Sequence, residues 1–118
     1  MQPTPTVTRD DVVRIVHRDF PTSQAAGILE ILDKYGTISW QRERDRVQLA
    51  VLKLAGGRID TLKTQTESSC CDYRDILSAA EYPAATKCWS SLERSTPEQR
   101  SAVYKADWTQ YQTWLTRA

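Results

Sequence analysis

Hydrophobic residues recur at helical spacing along most of the chain. Within residues 23–35 the pattern i, i+3, i+4, i+7 is formed by Ala25, Ile28, Leu29 and Leu32. This spacing predicts an amphipathic helix. Gly36 follows directly, and a glycine just past the last turn is typical of a left-handed helix end. No alternation of hydrophobic and polar residues persists anywhere, so the sequence predicts an all-α fold.

The segment SWQRERDRVQLAVLKLAGG, residues 39–57, has the strongest helical pattern. Its hydrophobic stripe consists of Val47, Ala50, Val51 and Leu54, and Leu49 and Leu52 widen it. A helix that is hydrophobic over so much of its circumference is usually packed on more than one side. We therefore expect this third helix at the centre of the fold.

Start and stop signals divide the remaining chain into further helices. Thr8 with Asp11 resembles a capping box and predicts the start of the first helix, which the proline at position 21 ends. Asp60 marks the start of a fourth helix. In DYRDILSAAEYP, residues 72–83, Asp72 stands at an N-cap position and the Tyr-Pro pair predicts the end of a fifth helix.

The last helix has the most complete start signal. Thr96 is its predicted N-cap, Pro97 the first helical residue, and Gln99 the residue that closes the box. Its hydrophobic stripe is formed by Tyr104, Trp108, Tyr111 and Leu115. Residues 84–94 are compatible with a short helix or a packed loop. The sequence thus predicts a single compact domain of about five to six short-to-medium helices, with residues 1–8 as a flexible lead-in.

Composition narrows the function classes. The chain has 118 residues, 40% of them hydrophobic and 26% charged, with a formal net charge of +1. These values suit one globular domain. The net charge is smaller than the strongly positive charge expected of a general nucleic-acid binder. No hydrophobic run has membrane-spanning length, and the first residues lack a signal-peptide pattern. We expect a cytoplasmic protein.

The cysteines and the one histidine offer little chemistry. Cys70, Cys71 and Cys88 form a poor disulfide framework, because their number is odd and two are adjacent. With His17 as the sole histidine, no common zinc spacing is present, and a cysteine nucleophile would have one candidate base. We expect reduced thiols packed as small hydrophobic groups, with no metal and no cofactor.

Three carboxylates are the candidates for acid–base catalysis. Asp72, Asp75 and Glu81 would converge if the fifth helix faced a groove, with Tyr73 and Arg74 beside them. Helix capping and surface charge explain the same residues. The sequence therefore favours a protein that is not an enzyme.

A cluster of arginines at the start of the third helix suggests a second class. Arg42, Arg44 and Arg46 occupy the place from which a helix-turn-helix protein reads base edges. Glu43 and Asp45 alternate with them and dilute the attraction to phosphate. Nucleic-acid binding is kept as the alternative hypothesis, although a charge-paired helix surface also fits.

The aromatic composition favours protein binding. The chain has four tryptophans and five tyrosines but one phenylalanine, and Trp and Tyr commonly anchor interfaces. We expect Trp40, Tyr73 and Tyr82 to be partly exposed and Arg74 to complete a patch that binds a protein partner or a second copy of the chain. The alternative is that these aromatic residues cover helix ends.

Three stretches resemble a group of small, uncharacterised bacterial helical proteins: RVQLAVLKLAGG at 46–57, DYRDILSAAEYP at 72–83 and ADWTQYQTWL at 106–115. The resemblance extends over most of the chain. It implies a helical fold and, by analogy of size and class, a partner-binding or immunity-type protein that neutralises a toxin.

Overall fold

The described part of the chain is built from helices. The structure, a computed structural model, describes residues 4–38 and 41–117, in which eight α-helices and one 3-10 turn occur and no strand. The helices are α1 (Arg9–Asp19), α2 (Ala25–Leu32), α3 (Arg44–Ala55), α4 (Ile59–Cys71), α5 (Tyr73–Glu81), α6 (Pro83–Lys87), α7 (Trp89–Glu93) and α8 (Pro97–Thr116), and the 3-10 turn is Thr22–Gln24. The prediction of a single all-α domain is confirmed.

The count of five to six helices was too low because of two short ones. Helices α6 and α7 have five residues each and lie in the segment that the sequence left open. One turn and a half holds too few hydrophobic positions to produce a periodic signal. Pro83 illustrates the ambiguity, since it ends α5 and is also the first residue of α6.

Capping explains the aspartate that opens the DYRDILSAAEYP stretch. The Asp72 carboxylate accepts a 3.0 Å hydrogen bond from the backbone N–H of Arg74, as the N-cap assignment predicts. At the start of α8, Thr96 and Gln99 bond each other reciprocally, side chain to backbone, at 3.2 and 3.0 Å. Both helices therefore begin where local sequence chemistry satisfies their first free N–H groups.

Helix α3 lies at the centre of the fold, as predicted. All six of residues 47–52 are buried, which means that every side of the helix is covered. Its neighbours are α1, α4 and α5. The buried hydrophobic side chains of these helices form one continuous core.

A buried glutamine joins α3 to the end of α2. The Gln48 side-chain amide donates to the backbone oxygens of Leu32 and Tyr35, at 3.0 and 3.2 Å, and to Asp33 Oδ1. Its Oε1 accepts a 2.7 Å hydrogen bond from Arg9 of α1. The polar side chain thus satisfies carbonyls that the end of a helix leaves open, and it fixes three helices together.

An ion pair joins α3 to α5. Arg46 binds both carboxylate oxygens of Glu81, with Nε–Oε2 at 2.7 Å and Nη2–Oε1 at 2.6 Å. Its third nitrogen, Nη1, lies 2.6 Å from Glu43 Oε2. The Glu81 side chain is 2% exposed and that of Arg46 19%. The hydrogen bonds that Arg46 donates to Glu81 are the main cause that raises the pKa of the Arg46 guanidinium above its usual range.

Helix α8 docks by capping its neighbours. The buried Asp107 carboxylate accepts 3.0 Å hydrogen bonds from the N–H groups of Ala84 and Ala85 at the start of α6. One turn later, Gln110 Nε2 lies 3.4 Å from the carbonyls of Ala80 and Glu81 at the end of α5. The turn between α5 and α6 is therefore held by side chains of α8.

An arginine of α1 holds the other end of α8. Arg18 Nη1 donates to the carbonyl oxygens of Trp114 and Arg117, at 2.6 and 2.9 Å. Its guanidinium also lies 5.2 Å from the centre of the Trp114 ring. Positive charge at a helix C-terminus is favourable, so this contact ties the first helix to the last.

The segment before α1 lies against the domain. Pro5 is buried and Val7 packs on the hydrophobic core, so this part of the expected lead-in is in contact with the helices. Among the described residues, no helix combines the length and hydrophobicity needed to cross a membrane.

We expect the two ends of the Arg46–Glu81 pair to respond unequally to substitution. Arg46→Met leaves a buried carboxylate without its partner and should lower the free energy of unfolding by about 3 kcal/mol. Glu81→Met leaves an arginine that still contacts Glu43, so the loss should be smaller. The double variant should be more stable than Arg46→Met alone, because no unpaired charge remains buried.

Urea denaturation of the variants measures these differences. Glu43→Gln, which changes the exposed partner of Arg46, serves as the control and should cost less than about 1 kcal/mol. Equal losses for Arg46→Met and Glu81→Met would contradict this account of the pair.

Candidate interaction surface

The loop between α2 and α3 is held by one glutamine. Gln41 is buried, and its Oε1 accepts hydrogen bonds from three consecutive N–H groups, those of Gly36, Thr37 and Ile38, at 2.8, 3.0 and 3.2 Å. Three bonds to one oxygen fix the backbone of Gly36, Thr37 and Ile38 relative to the Gln41 side chain. This three-residue segment is thus positioned by contacts within the domain.

Gly36 and Tyr35 also determine the shape of this loop. Gly36 has φ = +104°, a backbone conformation that residues with a Cβ rarely adopt, and a Cβ at this position would also displace the Arg44 side chain, whose Cγ and Cδ would lie 2.5 Å away. The buried Tyr35 hydroxyl donates a 2.7 Å hydrogen bond to the carbonyl of Arg42. Burial is the main cause that raises the pKa of Tyr35 to about 12. The hydrogen bond from Tyr35 to Arg42 thus joins residues near the two ends of the loop.

This loop presents an exposed hydrophobic side chain, and its Tyr35 contacts the start of α5. Among the described residues, Ile38 is the one large hydrophobic residue that is exposed, to 51%. Where the loop begins, the Tyr73 ring packs on that of Tyr35, with centroids 6.3 Å apart. The Arg74 guanidinium lies 5.9 Å from the centre of the Tyr73 ring. We call Ile38, Tyr73 and Arg74 together the loop surface.

The predicted partner-binding residues fall into two places. Tyr73 and Arg74 are brought together on the loop surface. Tyr82 lies at the other end of α5, about 13 Å along a helix of nine residues, where its ring meets Tyr104 edge to face at 5.8 Å. Trp40 lies outside the described residues. The structure therefore separates Tyr82 from the other two.

A groove surrounds Tyr82. It has a volume of about 320 Å³ and is lined by Asp75, Ser78, Tyr82, Ala85, Thr86 and Tyr104. Burial, followed by the negative charge of Glu81, raises the pKa of Tyr82, and Asp107 adds to the shift while Arg46 opposes it.

The three arginines proposed for nucleic-acid binding have different surroundings. Arg46 is engaged by two carboxylates, as described above. Arg42 and Arg44 are exposed, and Arg44 Nε lies 3.5 Å from Asp45 Oδ1 without hydrogen-bond geometry. Beyond its first turn α3 is covered on every side. The helix that would have to enter a DNA groove is therefore the central helix of the core.

The three candidate catalytic carboxylates do not converge. Asp72 caps α5, Asp75 is exposed in the groove beside Tyr82, and Glu81 is buried against Arg46. Asp72 and Asp75 also line a second groove, of about 370 Å³, between α4 and α5. Glu81 is not part of that groove, so the three carboxylates do not meet at one site.

The thiols are more exposed than the sequence predicted. Cys70 is half-buried, with its Sγ 3.9 Å from the carbonyl oxygen of Lys34, whereas Cys71 and Cys88 are exposed. His17 is also exposed. In the part of the chain that the structure describes, no group of three or more His, Cys, Asp or Glu side chains is placed to hold a metal ion.

Sequence reasoning missed the two residues on which the loop surface depends. Gln41 stands in a run of charged residues and gives no local sign that it accepts three hydrogen bonds. Ile38 had a weak signal: it lies in the connection between α2 and α3, two residues after Gly36, and belongs to no helical stripe. A hydrophobic residue that belongs to no helical stripe is a candidate for exposure.

Comparisons with protein-family models, curated proteins and solved structures found no match to this chain. The resemblance to small bacterial helical proteins therefore stays a prediction.

We expect the loop to lose its order when Gln41 loses its oxygen acceptor. In Gln41→Leu, hydrogen exchange at the amides of Gly36, Thr37 and Ile38 should become at least about tenfold faster, because three hydrogen bonds are lost and each contributes about 1 kcal/mol. Amide exchange followed by NMR measures this change. Gln41→Glu, which keeps an acceptor, should remain protected; equal acceleration in both variants would contradict the role of the oxygen.

Proposed function

We propose that this protein is a non-catalytic, cytoplasmic protein-binding domain that engages its partner through the loop surface. Its most specific form is an immunity-type role, in which the partner is a toxin that binding neutralises, or a regulatory role on another protein. The observation that carries the proposal is the exposed Ile38, displayed on a loop that Gln41 holds in one conformation.

The composition of the loop surface supports this proposal. One exposed hydrophobic residue is ordinary on a protein surface. The contact between Tyr35 and Tyr73 joins the loop to the start of α5, where a half-buried tyrosine and an exposed arginine lie. Tyr and Arg are the residue types enriched at the energetic centres of interfaces. The predicted site residue Trp40 belongs to the same connection in sequence. A hydrophobic anchor with polar neighbours matches the usual anatomy of a binding site.

Preorganisation supports it further. Ordering a flexible loop on binding costs conformational entropy, and this cost reduces the affinity. The backbone from Gly36 to Ile38 is already bonded to the Gln41 side chain. A partner that inserts beside Ile38 therefore gains hydrophobic contact with little ordering cost.

The placement of the ionisable groups is the reason for proposing a protein without catalysis. The candidate carboxylates serve as a cap, an exposed charge and an ion-pair partner, and Glu81 lies apart from the groove that Asp72 and Asp75 share. Nucleic-acid binding through Arg42, Arg44 and Arg46 stays the alternative prediction, and the experiment below includes it as an outcome.

Site-specific photocrosslinking tests the proposal. A benzoylphenylalanine residue at position 38 or 74 should crosslink one and the same protein in host cells, and nuclease treatment should not reduce the yield. With that partner purified, Ile38→Asp should weaken binding by about 2 kcal/mol or more in calorimetry, the scale of an interface hot spot.

The matched control is crosslinking from Ser101, which is exposed on α8 outside the loop surface. This position should not capture the partner. Capture from Ser101 but not from positions 38 and 74 would place the interface elsewhere. Recovery of nucleic acid that depends on the three arginines would favour the alternative.

A further inference from the structure

The groove at the far end of α5 has two aromatic walls at a right angle. The rings of Tyr82 and Tyr104 are inclined by 80° with centroids 5.8 Å apart. Both side chains are half-buried and line the same groove. The face of an aromatic ring carries partial negative charge, so a corner of two rings attracts a cation of low hydration.

A carboxylate lines the same groove. Asp75, Ser78 and Tyr82 follow each other at i, i+3 and i+7, which places them on one face of α5. Asp75 is exposed and forms no ion pair with another residue of the described chain. Its negative charge therefore remains available to a bound ligand.

The walls of the groove are fixed by contacts outside it. Thr86 Oγ1 donates a 3.2 Å hydrogen bond to the carbonyl of Ser78, which joins α6 to α5. Asp107 caps α6, and Gln110 reaches the end of α5, so the turn that carries Tyr82 is held against α8. A site whose shape exists before binding loses less entropy when the ligand arrives.

We propose that this groove binds an alkylammonium group, with the cation against the faces of Tyr82 and Tyr104 and its charge balanced by Asp75. The ligand class is either a small quaternary ammonium compound or the ammonium end of a lysine side chain, because the two share the recognised chemistry. This site is separate from the loop surface and does not depend on the proposed function.

Two features favour a small cation as the ligand. Two aromatic faces and a carboxylate are the elements by which proteins bind quaternary ammonium ions. The volume of about 320 Å³ lies at the lower end of the range of ligand pockets and suits a small head group.

An NMR titration of the full chain tests the proposal. Tetramethylammonium chloride should shift the aromatic signals of Tyr82 and Tyr104 saturably, whereas sodium chloride at the same ionic strength and the neutral analogue 2,2-dimethylpropanol should not. An acetylated, amidated Gly-Lys-Gly peptide forms a second arm. Tighter binding of the tetramethyl ion indicates a small-molecule site, and tighter binding of the peptide indicates a lysine site.

Substitutions distinguish the contribution of the Tyr104 ring to binding from that of the Asp75 carboxylate. Tyr104→Leu should abolish the shifts at Tyr82, and Tyr104→Phe, which keeps the ring, should preserve them. Asp75→Asn should weaken binding by roughly fivefold, or about 1 kcal/mol. The matched control is Asp60→Asn, since Asp60 is an exposed carboxylate in the first turn of α4, outside the groove. The affinity of this variant for tetramethylammonium should equal that of the unaltered protein.

Two results would overturn the proposal. Equal binding of 2,2-dimethylpropanol would show that the groove selects shape and hydrophobicity without regard to charge. Unchanged tyrosine signals with both cations, in a chain whose amide spectrum shows the native fold, would show that no such site exists. Neither result affects the loop surface, because the crosslinking experiment uses different residues and a different readout.

Discussion

The carboxylate of Glu81 is the interior charge around which the centre of the domain is organised. A buried charge is tolerated when a partner neutralises it and hydrogen bonds saturate it, and Arg46 meets both conditions with two contacts. The pair fixes the start of the central helix α3 against the end of α5. Glu43, which adopts a left-handed backbone with φ = +57° just before α3, supplies the third contact to the guanidinium. Left-handed backbone costs a non-glycine residue about 1 kcal/mol or more, so the contact helps to maintain this conformation.

The same charge influences the surrounding aromatic residues. Tyr111 is buried, and its hydroxyl has no hydrogen-bond partner among the described residues. Burial and then the nearby Glu81 raise the pKa of this phenol. Its ring is kept in place by packing, since it lies 5.6 Å from that of Trp114. The interior thus combines one fully satisfied ionic contact with an adjacent hydroxyl that is not satisfied.

Much of the architecture could be predicted because it depends on local signals. The hydrophobic spacing of α2 and α3, the Asp72 cap and the box formed by Thr96 and Gln99 each lie within one or two turns of sequence. The contacts that position the candidate sites join residues far apart in the chain. Arg46 meets Glu81 across 35 positions, and Asp107 meets Ala84 across 23. No periodicity of the sequence encodes such pairs. Likewise, the exposed aspartates Asp75 and Asp10 cannot be distinguished by sequence pattern, although Asp75 lines the groove beside Tyr82 and Asp10 does not.

The role of Asp107 has a consequence for how the protein is made. The first turn of α6 has no side chain of its own to satisfy its N–H groups, and it receives its cap from α8, more than twenty residues later. Arg18 of α1 likewise donates its hydrogen bonds to carbonyl oxygens at the other end of the sequence, those of residues 114 and 117. Until α8 has docked, the first N–H groups of α6 and the Arg18 guanidinium therefore lack the partners that they have in the folded domain. The turn at Tyr82 and Pro83 thus depends on the last described helix for its support.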